Sequence, residues 1–259
     1  MNGHEELRRA IKTANAQERP ALIPFLPAGY PQKETFWDMI HELDDSGADI
    51  IEIGVPFSDP VADGPVVEEA SLVCLNQGVD LDWIMEGLAV HSRSISAPLV
   101  LMGYANPFCQ YGLQKLGSDA TDNGVSGFII PDLPLEEFPA FRELDTEAGT
   151  TLIPLIGLNT SAKRMEAYAE KKPAFVYTVA VMGTTGSKAG GGKRLSEQLD
   201  LAGKIFDCPL ALGFGIENKS QITALNADIQ AVVFGSALIR HIHSGRLPSE
   251  FMHPWTTKE

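Results

Sequence analysis

The sequence predicts a single (β/α)8 barrel with an extra helix at its N-terminus, and three observations favour that fold. Short apolar segments rich in β-branched residues alternate with segments of helical periodicity, in eight units of about 30 residues each. The chain has 259 residues, and this fold usually takes about 250. An open doubly wound sheet is the alternative, but no Gly-x-Gly-x-x-Gly run follows the first strand and no composition change marks a second domain. We therefore expect one barrel domain over residues 1–259.

The apolar spacing and the residues that end each run place the individual elements. Residues 5–17 form a predicted amphipathic helix with Leu7, Ile11 and Ala14 on its apolar face, and we expect it to plug one end of the barrel. The predicted strands span residues 21–27, 48–55, 98–102, 125–130, 150–155, 174–179, 209–212 and 231–234. The predicted helices between and after them span residues 32–46, 68–76, 81–93, 108–123, 136–147, 161–170, 196–203, 219–225 and 237–244. Residues 245–259 are expected to add one more helical turn.

Composition limits the class of partner. The 20 basic and 34 acidic side chains give a formal net charge of −14, which disfavours nucleic acid or an anionic membrane surface. Three widely spaced cysteines without a Cys-x-x-Cys pair indicate neither a disulfide framework nor a zinc site, and the six histidines show no metal-binding spacing. The N-terminal residues do not resemble a signal peptide, and no apolar run approaches the roughly 18 residues of a membrane span. We therefore expect a soluble, cytoplasmic protein.

Residues 50–67 carry the strongest indication of chemistry. The predicted second strand holds Glu52 within an otherwise apolar run, and a loop with three prolines and two glycines follows. A buried glutamate must be paired or protonated, and desolvation raises its pKa toward values useful in general acid and base catalysis. Asp63 lies further along, where the loop can fold back over the barrel mouth. The alternatives are a hydrogen-bonded structural carboxylate at Glu52, and turn or helix-capping roles for Asp63 and Asp59.

Glycines follow the predicted seventh and eighth strands, at residues 213–216 and 235–236. Backbone N–H groups and a helix N-terminus can approach an anion there, and barrels frequently bind phosphate at these two strands. We therefore interpret Gly215, Gly235 and Ser236 as a phosphate site rather than as tight turns alone. Local amide dipoles would let a protein of charge −14 hold an anion.

Large apolar side chains fall at the ends of several predicted strands. For any one of them the ordinary alternative is barrel core. Together they predict a flat apolar pocket between the carboxylates and the phosphate site, suited to an aromatic ligand. The residues are Phe25, Tyr104, Ile129, Tyr177 and Phe214.

Residues 51–65, Ile-Glu-Ile-Gly-Val-Pro-Phe-Ser-Asp-Pro-Val-Ala-Asp-Gly-Pro, form a long and specific match to one known family. Shorter matches lie at residues 102–107, 130–134, 213–216 and 235–236. On these residues the chain resembles the tryptophan synthase alpha-chain family, from about residue 22 to about residue 239. The resemblance implies a (β/α)8 barrel lyase that cleaves indole-3-glycerol phosphate into indole and glyceraldehyde 3-phosphate for L-tryptophan biosynthesis.

The resemblance also implies roles for individual residues. Matched to the family pattern, Glu52 takes the position of the catalytic acid and base, and Asp63 that of the second catalytic carboxylate. Thr185 and Gly186 match the family's loop after the sixth strand, where they would contact the substrate and its phosphate. The resemblance implies no cofactor on this chain, and a pyridoxal-phosphate beta chain as partner in an alpha-beta-beta-alpha tetramer.

The loop after the sixth strand departs from the family pattern. Val181 stands where the family usually carries an arginine, and the five glycines within residues 183–192 predict a mobile loop before the next helix. In the family this loop closes over substrate and helps to signal to the beta chain, so the departure concerns coupling more than chemistry. Two alternatives stay open: a lyase that acts without a beta chain, and a regulatory subunit that binds the substrate with little turnover.

Overall fold

Parallel strands alternate with helices through the described residues of the computed structural model, which are 2–179, 188–213, 216, 218–225 and 228–257. The side chains of residues 188–192 and 223 lie outside that description. The strands are β1 (Ala21–Pro27), β2 (Ile51–Gly54), β3 (Leu99–Met102), β4 (Val125–Ile129), β5 (Thr151–Ile153), β6 (Leu155–Gly157), β7 (Val176–Val179), β8 (Leu210–Gly213) and β9 (Ala231–Phe234).

The helices surround these strands. They are α1 (Gly3–Asn15), α2 (Lys33–Asp45), α3 (Pro65–Asn76), α4 (Leu81–His91), α5 (Ala105–Tyr111), α6 (Leu113–Asp122), α7 (Ala162–Ala169), α8 (Lys188–Ile205), α9 (Lys219–Leu225), α10 (Ser236–His243) and α11 (Pro248–Thr256). Two further segments are 3-10 helices, Ser92–Ser94 and Leu135–Leu144. Among the described helices, none combines the length and the apolar composition that crossing a bilayer requires.

The strands pair side by side in the order β5-β4-β3-β2-β1-β9-β8-β7-β6, and the pairings are parallel. The two strands at the ends of this order, β5 and β6, are consecutive in the chain and are separated only by Pro154. Because proline has no N–H to give to a ladder, it divides one predicted strand into two short ones. The Pro154 carbonyl still accepts a hydrogen bond from the Tyr177 N–H at 3.0 Å. The sheet therefore closes into a barrel, and the predicted (β/α)8 fold class is confirmed.

Several helices differ from the predicted ones where proline or glycine intervenes. Helix α3 already begins at Pro65, because proline is favoured at the first helical position, where an N–H would have no partner inside the helix. The predicted helix over residues 108–123 is divided at Gly112, whose φ is +93°. The predicted helix over residues 136–147 is a 3-10 helix that contains Pro139, a residue that cannot donate the α-helical hydrogen bond.

The prediction of a loop over residues 183–192 is wrong for residues 188–192. These residues form the beginning of α8, which runs from Lys188 to Ile205. Each glycine costs about 1 kcal/mol relative to alanine in a helix, but the later turns of α8 bury Leu195, Leu199 and Ala202. Packing of those turns against the barrel therefore outweighs the preference of the glycines for a non-helical conformation. Residues 180–187 lie outside the described residues.

Helix α1 covers the amino ends of the strands, as predicted. Its apolar face is fully buried, with Leu7, Ile11 and Ala14 each at 0% exposure. The Ser126 hydroxyl at the start of β4 donates a hydrogen bond to the carboxylate of Glu6 at 2.9 Å. A plug at this end leaves the carboxyl ends of the strands as the place for a site.

The register determines which side chains face the barrel interior. Paired residues of parallel strands point to the same side of a sheet, and so do residues two apart in one strand. Phe25 pairs directly with Glu52. When the paired residues are followed around the sheet, Ile129 and Tyr177 fall on the same face. Since helices cover the outer face of such a barrel, these four predicted site residues share its interior.

Candidate active site

Glu52 is a fully buried carboxylic acid in the barrel interior. It is the second residue of β2, and its exposed fraction is 0%. Neither of its carboxyl oxygens has a hydrogen-bond partner among the described residues. Burial, and after it the negative charge of Asp63, raises the pKa of Glu52 from its usual 4.5 to about 8. Glu52 is therefore mostly protonated at neutral pH and can give a proton to a bound ligand.

The loop between β2 and α3 brings Asp63 back toward Glu52. Asp63 is partly buried, and its Oδ2 accepts a hydrogen bond from the Tyr104 hydroxyl at 3.0 Å. Burial raises the pKa of Asp63, while the bond from Tyr104 lowers it. The charge of Asp63 in turn raises the pKa of Glu52, so the two carboxylates lie close enough to interact. The structure thus brings the two predicted carboxylates together.

Tyr177 lies near both carboxylates. The pKa of its hydroxyl is raised well above the usual value, first by burial and then by the charges of Glu52 and Asp63. Its ring packs against the backbone of Gly213, the last residue of β8. Tyr177 therefore forms a wall of the interior between β7 and β8.

Phe25 forms another wall. A Cβ built on Gly54 would lie 2.7 Å from the Phe25 ring, and one built on Gly235 would lie 3.5 Å from it. The ring therefore lies between the ends of β2 and β9, and only a glycine at position 54 leaves room for it. Ile129 adds a third apolar group at the end of β4, with 1% exposure. These side chains give the interior the apolar character that the sequence predicted.

A cleft that is partly open to solvent lies at the carboxyl ends of β1, β2 and β3. Most of its lining is apolar, and Asp63, Tyr104 and Ser71 add polar groups. An apolar cleft with a few polar groups is typical of a small-molecule site. The cleft thus lies at the predicted end of the barrel, and Asp63 is one of the residues that line it.

The N-terminus of α10 lies at the end of β9. Gly235 is the residue before its first turn, and Ser236 is its first helical residue. Helix N-termini attract anions through their free N–H groups and the helix dipole, and the predicted phosphate residues Gly235 and Ser236 lie at such a helix end. The other predicted residues of the two glycine-bearing loops lie outside the described residues: Thr185, Gly186, Phe214 and Gly215.

Asp59 and Ser71 are two further residues that bear on the loop between β2 and α3. Asp59 is exposed and accepts a hydrogen bond from the neighbouring Ser58 hydroxyl at 2.5 Å, which agrees with a local turn role. Ser71 was not singled out, yet it is buried and its hydroxyl bonds the backbone of Phe57. The only signal in the sequence is a serine beside apolar residues of α3, and this pattern is common in helices.

The fold and the site together define a class of protein. It is a closed (β/α)8 barrel with a buried glutamic acid of raised pKa in its interior, a second carboxylate in the loop that follows, and a helix N-terminus at the last strand. Comparison with known proteins assigns the family within this class. The family model for the tryptophan synthase alpha chain matches residues 11–253.

Individual relatives agree. The tryptophan synthase alpha chain of Maridesulfovibrio salexigens is 52% identical over 250 residues, which cover 96% of this chain and 98% of that protein. The tryptophan synthase of Saccharomyces cerevisiae is 37% identical over 237 residues, 91% of this chain but 34% of that protein. A solved structure of Mycobacterium tuberculosis tryptophan synthase superposes with a TM-score of 0.86 at 29% identity, covering 97% of this chain and 98% of the other. The chain belongs to the tryptophan synthase alpha chain family.

Proposed function

We propose that this chain cleaves indole-3-glycerol phosphate into indole and glyceraldehyde 3-phosphate, the lyase half-reaction that supplies indole for L-tryptophan synthesis. One observation carries the proposal. A buried Glu52 with a raised pKa lies within electrostatic reach of Asp63 inside a barrel of the tryptophan synthase alpha chain family. This pairing provides a proton donor and a negative charge in one water-poor interior.

Glu52 would move the protons of the reaction. Carbon–carbon cleavage requires C3 of the indole ring to gain a proton, and the raised pKa of Glu52 keeps that proton available at neutral pH. The resulting carboxylate then takes the proton of the hydroxyl on the adjacent side-chain carbon. The carbon–oxygen bond becomes the aldehyde, the carbon–carbon bond breaks, and its electron pair returns to the indole ring. Glu52 ends protonated, so the proton count balances.

Asp63 would stabilise the charge that this step creates. Protonation at C3 places positive charge on the ring nitrogen, and an ionised carboxylate that accepts the ring N–H stabilises it. The hydrogen bond from Tyr104 favours the ionised form of Asp63. The two carboxylates would therefore work in opposite protonation states.

The remaining predicted residues would bind the two ends of the substrate. The apolar walls suit the flat indole ring, and the helix N-terminus at β9 suits the phosphate. The proposed substrate contacts are Phe25, Tyr104, Ile129, Tyr177, Thr185 and Phe214. The proposed phosphate contacts are Gly186, Gly215, Gly235 and Ser236.

A tryptophan synthase beta chain, which would carry the pyridoxal phosphate, is the proposed partner in an alpha-beta-beta-alpha tetramer. The support is that similar solved structures are described as tryptophan synthase complexes, such as the one from Pyrococcus furiosus, which has a TM-score of 0.79 at 31% identity and covers 91% of this chain and 95% of that one. No cofactor is proposed on this chain itself.

An indole-release assay with and without a beta chain tests the proposal. We expect indole and glyceraldehyde 3-phosphate in equal amounts, formed faster when the beta chain is present. A rate that the beta chain leaves unchanged would favour a lyase that acts alone. Substrate binding without indole release under either condition would contradict the proposal and favour a regulatory subunit.

A further inference from the structure

The loop that carries Asp63 is held by side chains from outside it at both of its ends. At one end, Ser71 of α3 bonds the backbone of Phe57. At the other end, Tyr104, which follows β3, bonds both Ala62 and Asp63. These contacts connect the loop to two different elements of the barrel.

The Tyr104 hydroxyl both accepts and donates a hydrogen bond. It accepts a hydrogen bond from the Ala62 N–H at 2.9 Å and donates to Asp63 Oδ2 at 3.0 Å. A tyrosine hydroxyl has a single proton, so the one hydrogen bond that it can donate goes to the Asp63 carboxylate. Burial and the charge of Asp63 raise the pKa of Tyr104, which keeps that proton in place. Tyr104 thus fixes the backbone next to Asp63 and the carboxylate itself.

The position of Tyr104 is fixed in turn by packing. It is 3% exposed, and its ring lies 5.3 Å from the ring of Phe57 at an interplanar angle of 31°. The same phenylalanine is the residue whose backbone Ser71 bonds. The two ends of the loop are therefore joined through the Phe57–Tyr104 contact.

Ser71 holds the first end of the loop through its buried hydroxyl. The hydroxyl accepts from the Phe57 N–H at 2.9 Å and donates to the Phe57 carbonyl at 3.2 Å. Between the two held ends, two backbone hydrogen bonds are local to the loop, from Val61 N–H to the Asp59 carbonyl and from Asp63 N–H to the Pro60 carbonyl. Val61, between them, is 87% exposed. Among the described residues, Ser71 and Tyr104 thus provide the side-chain hydrogen bonds that connect this loop to the rest of the barrel.

We infer that Tyr104 and Ser71 are positioning residues that hold the Asp63 carboxylate over the barrel mouth. Tyr104 does so directly, by orienting the carboxylate and favouring its ionised form, and Ser71 does so by fixing the far end of the loop. The inference rests on the proposed function, because it gives Asp63 the task of stabilising the charge on the ring nitrogen. It assigns a role to the Tyr104 hydroxyl in addition to the apolar contact that the Tyr104 ring provides.

Tyr104→Phe tests the direct role, because it keeps the ring and removes only the hydroxyl. A hydrogen bond to a charged group is lost, so we expect kcat for indole release to fall about tenfold to a hundredfold, with KM changed by less than about threefold. Among the described residues, Glu52, Tyr104 and Tyr177 are the titratable groups that interact with Asp63. Loss of the Tyr104 bond raises the pKa of Asp63, so the acid limb of the kcat/KM profile moves to higher pH.

Tyr111→Phe is the matched control. The Tyr111 hydroxyl also donates to a carboxylate, that of Asp119, at 2.6 Å, but between α5 and α6. This variant should keep the wild-type kcat and acid limb. If Tyr104→Phe also keeps kcat within about twofold of the wild type and leaves the acid limb in place, Tyr104 contributes only the apolar contact of its ring and the inference is wrong.

Ser71→Ala tests the second held end, with Ser126→Ala as its control. Both serines are buried and bonded through their hydroxyls, but Ser126 bonds Glu6 at the amino end of the barrel. We expect Ser71→Ala to lower kcat about threefold to tenfold and Ser126→Ala to leave it unchanged. Equal kcat in the two variants, after both are shown to be folded by thermal unfolding, would contradict the role of Ser71.

A titration separates failure of this inference from failure of the proposed function. The Asp63 carboxyl can be titrated by carbon NMR in the wild type and in Tyr104→Phe, with Asp63→Asn assigning the signal. A higher pKa of Asp63 in Tyr104→Phe supports the positioning role even if the wild type releases no indole. The absence of indole release would contradict the proposed function alone. An unchanged pKa contradicts the positioning role even if the wild type is active.

Discussion

The backbone of Gly213 lies directly against the ring of Tyr177, so that a Cβ built on Gly213 would stand 2.2 Å from the tyrosine oxygen. No side chain larger than hydrogen fits there unless the ring moves. Gly213→Ala should therefore displace Tyr177 within the interior and lower indole release by about a hundredfold, since small misplacements in a site are costly. Initial rates of indole release for the variant and the wild type are the measurement.

Two further variants test whether the cause is steric. Gly203→Ala lies in α8, where a Cβ would meet nothing within 4 Å, so it should keep full activity and gain about 0.5–1 kcal/mol in helix stability. Adding Tyr177→Val to Gly213→Ala should restore part of the activity that Gly213→Ala loses. Full activity in Gly213→Ala would show that the Tyr177 ring can move without loss of indole release, which would contradict this prediction.

Gly235→Asp should weaken phosphate binding, while Gly235→Ala should not. A Cβ at this position meets only Phe25 Cδ1 within 4 Å, at an ordinary distance of 3.5 Å, and φ is −97°. A methyl group therefore fits, whereas a carboxylate places negative charge beside the N-terminus of α10. Thermal protection by glycerol 3-phosphate should persist in the alanine variant and be lost in the aspartate variant. Equal protection in both would place the anion elsewhere.

The stability of the protein should depend on pH through Glu52. Its pKa is about 8 in the folded protein and about 4.5 when unperturbed, so between these values the folded state binds the additional proton. Stability is therefore lost as the pH rises from about 4.5 to about 8. Each pKa unit corresponds to about 1.4 kcal/mol, so Glu52→Gln should raise the free energy of unfolding by a few kcal/mol at pH 8.5.

Chemical denaturation at several pH values measures this difference. The gap between Glu52→Gln and the wild type should be smallest near pH 4.5 and should stop growing above about pH 8. A gap that does not change with pH would mean that Glu52 is ionised in the folded protein at neutral pH.

Asp63→Asn should lower activity severely without unfolding the protein. An asparagine oxygen can still accept the Tyr104 hydrogen bond seen at 3.0 Å, but a neutral amide does not stabilise positive charge on the ring nitrogen. We expect kcat to fall by at least about a hundredfold, with the thermal midpoint changed by only a few degrees. A loss of folding with normal activity in the remaining folded fraction would support the capping role instead.

The interior positions could be predicted from the sequence because the strand period determines them. Phe25, Glu52, Ile129 and Tyr177 lie on one face since side chains alternate along each strand. The division of the fifth predicted strand was not apparent, because the apolar run continues through Pro154. The helical state of residues 188–192 was missed for a related reason: glycine-rich composition indicates a loop, and only the packing of later turns reverses that preference.

Contacts between distant parts of the chain could not be predicted. Tyr104 and Asp63 are 41 residues apart, and Ser71 and Phe57 are 14 apart, so their hydrogen bonds depend on how the loop folds back. The sequence also left open whether Glu52 had a hydrogen-bond partner. The described structure gives it none, which disfavours a hydrogen-bonded structural carboxylate and is the reason that we propose Glu52 as the proton donor.

Indole release by Glu52→Gln decides whether Glu52 transfers the proton. The amide keeps the shape of the side chain and loses its proton transfer, a contribution of about 10² to 10⁴ in rate. Single-turnover indole release should therefore fall by at least about a hundredfold, while indole-3-glycerol phosphate still protects the variant against thermal unfolding as it does the wild type. More than about a tenth of the wild-type rate in Glu52→Gln would mean that another group supplies the proton.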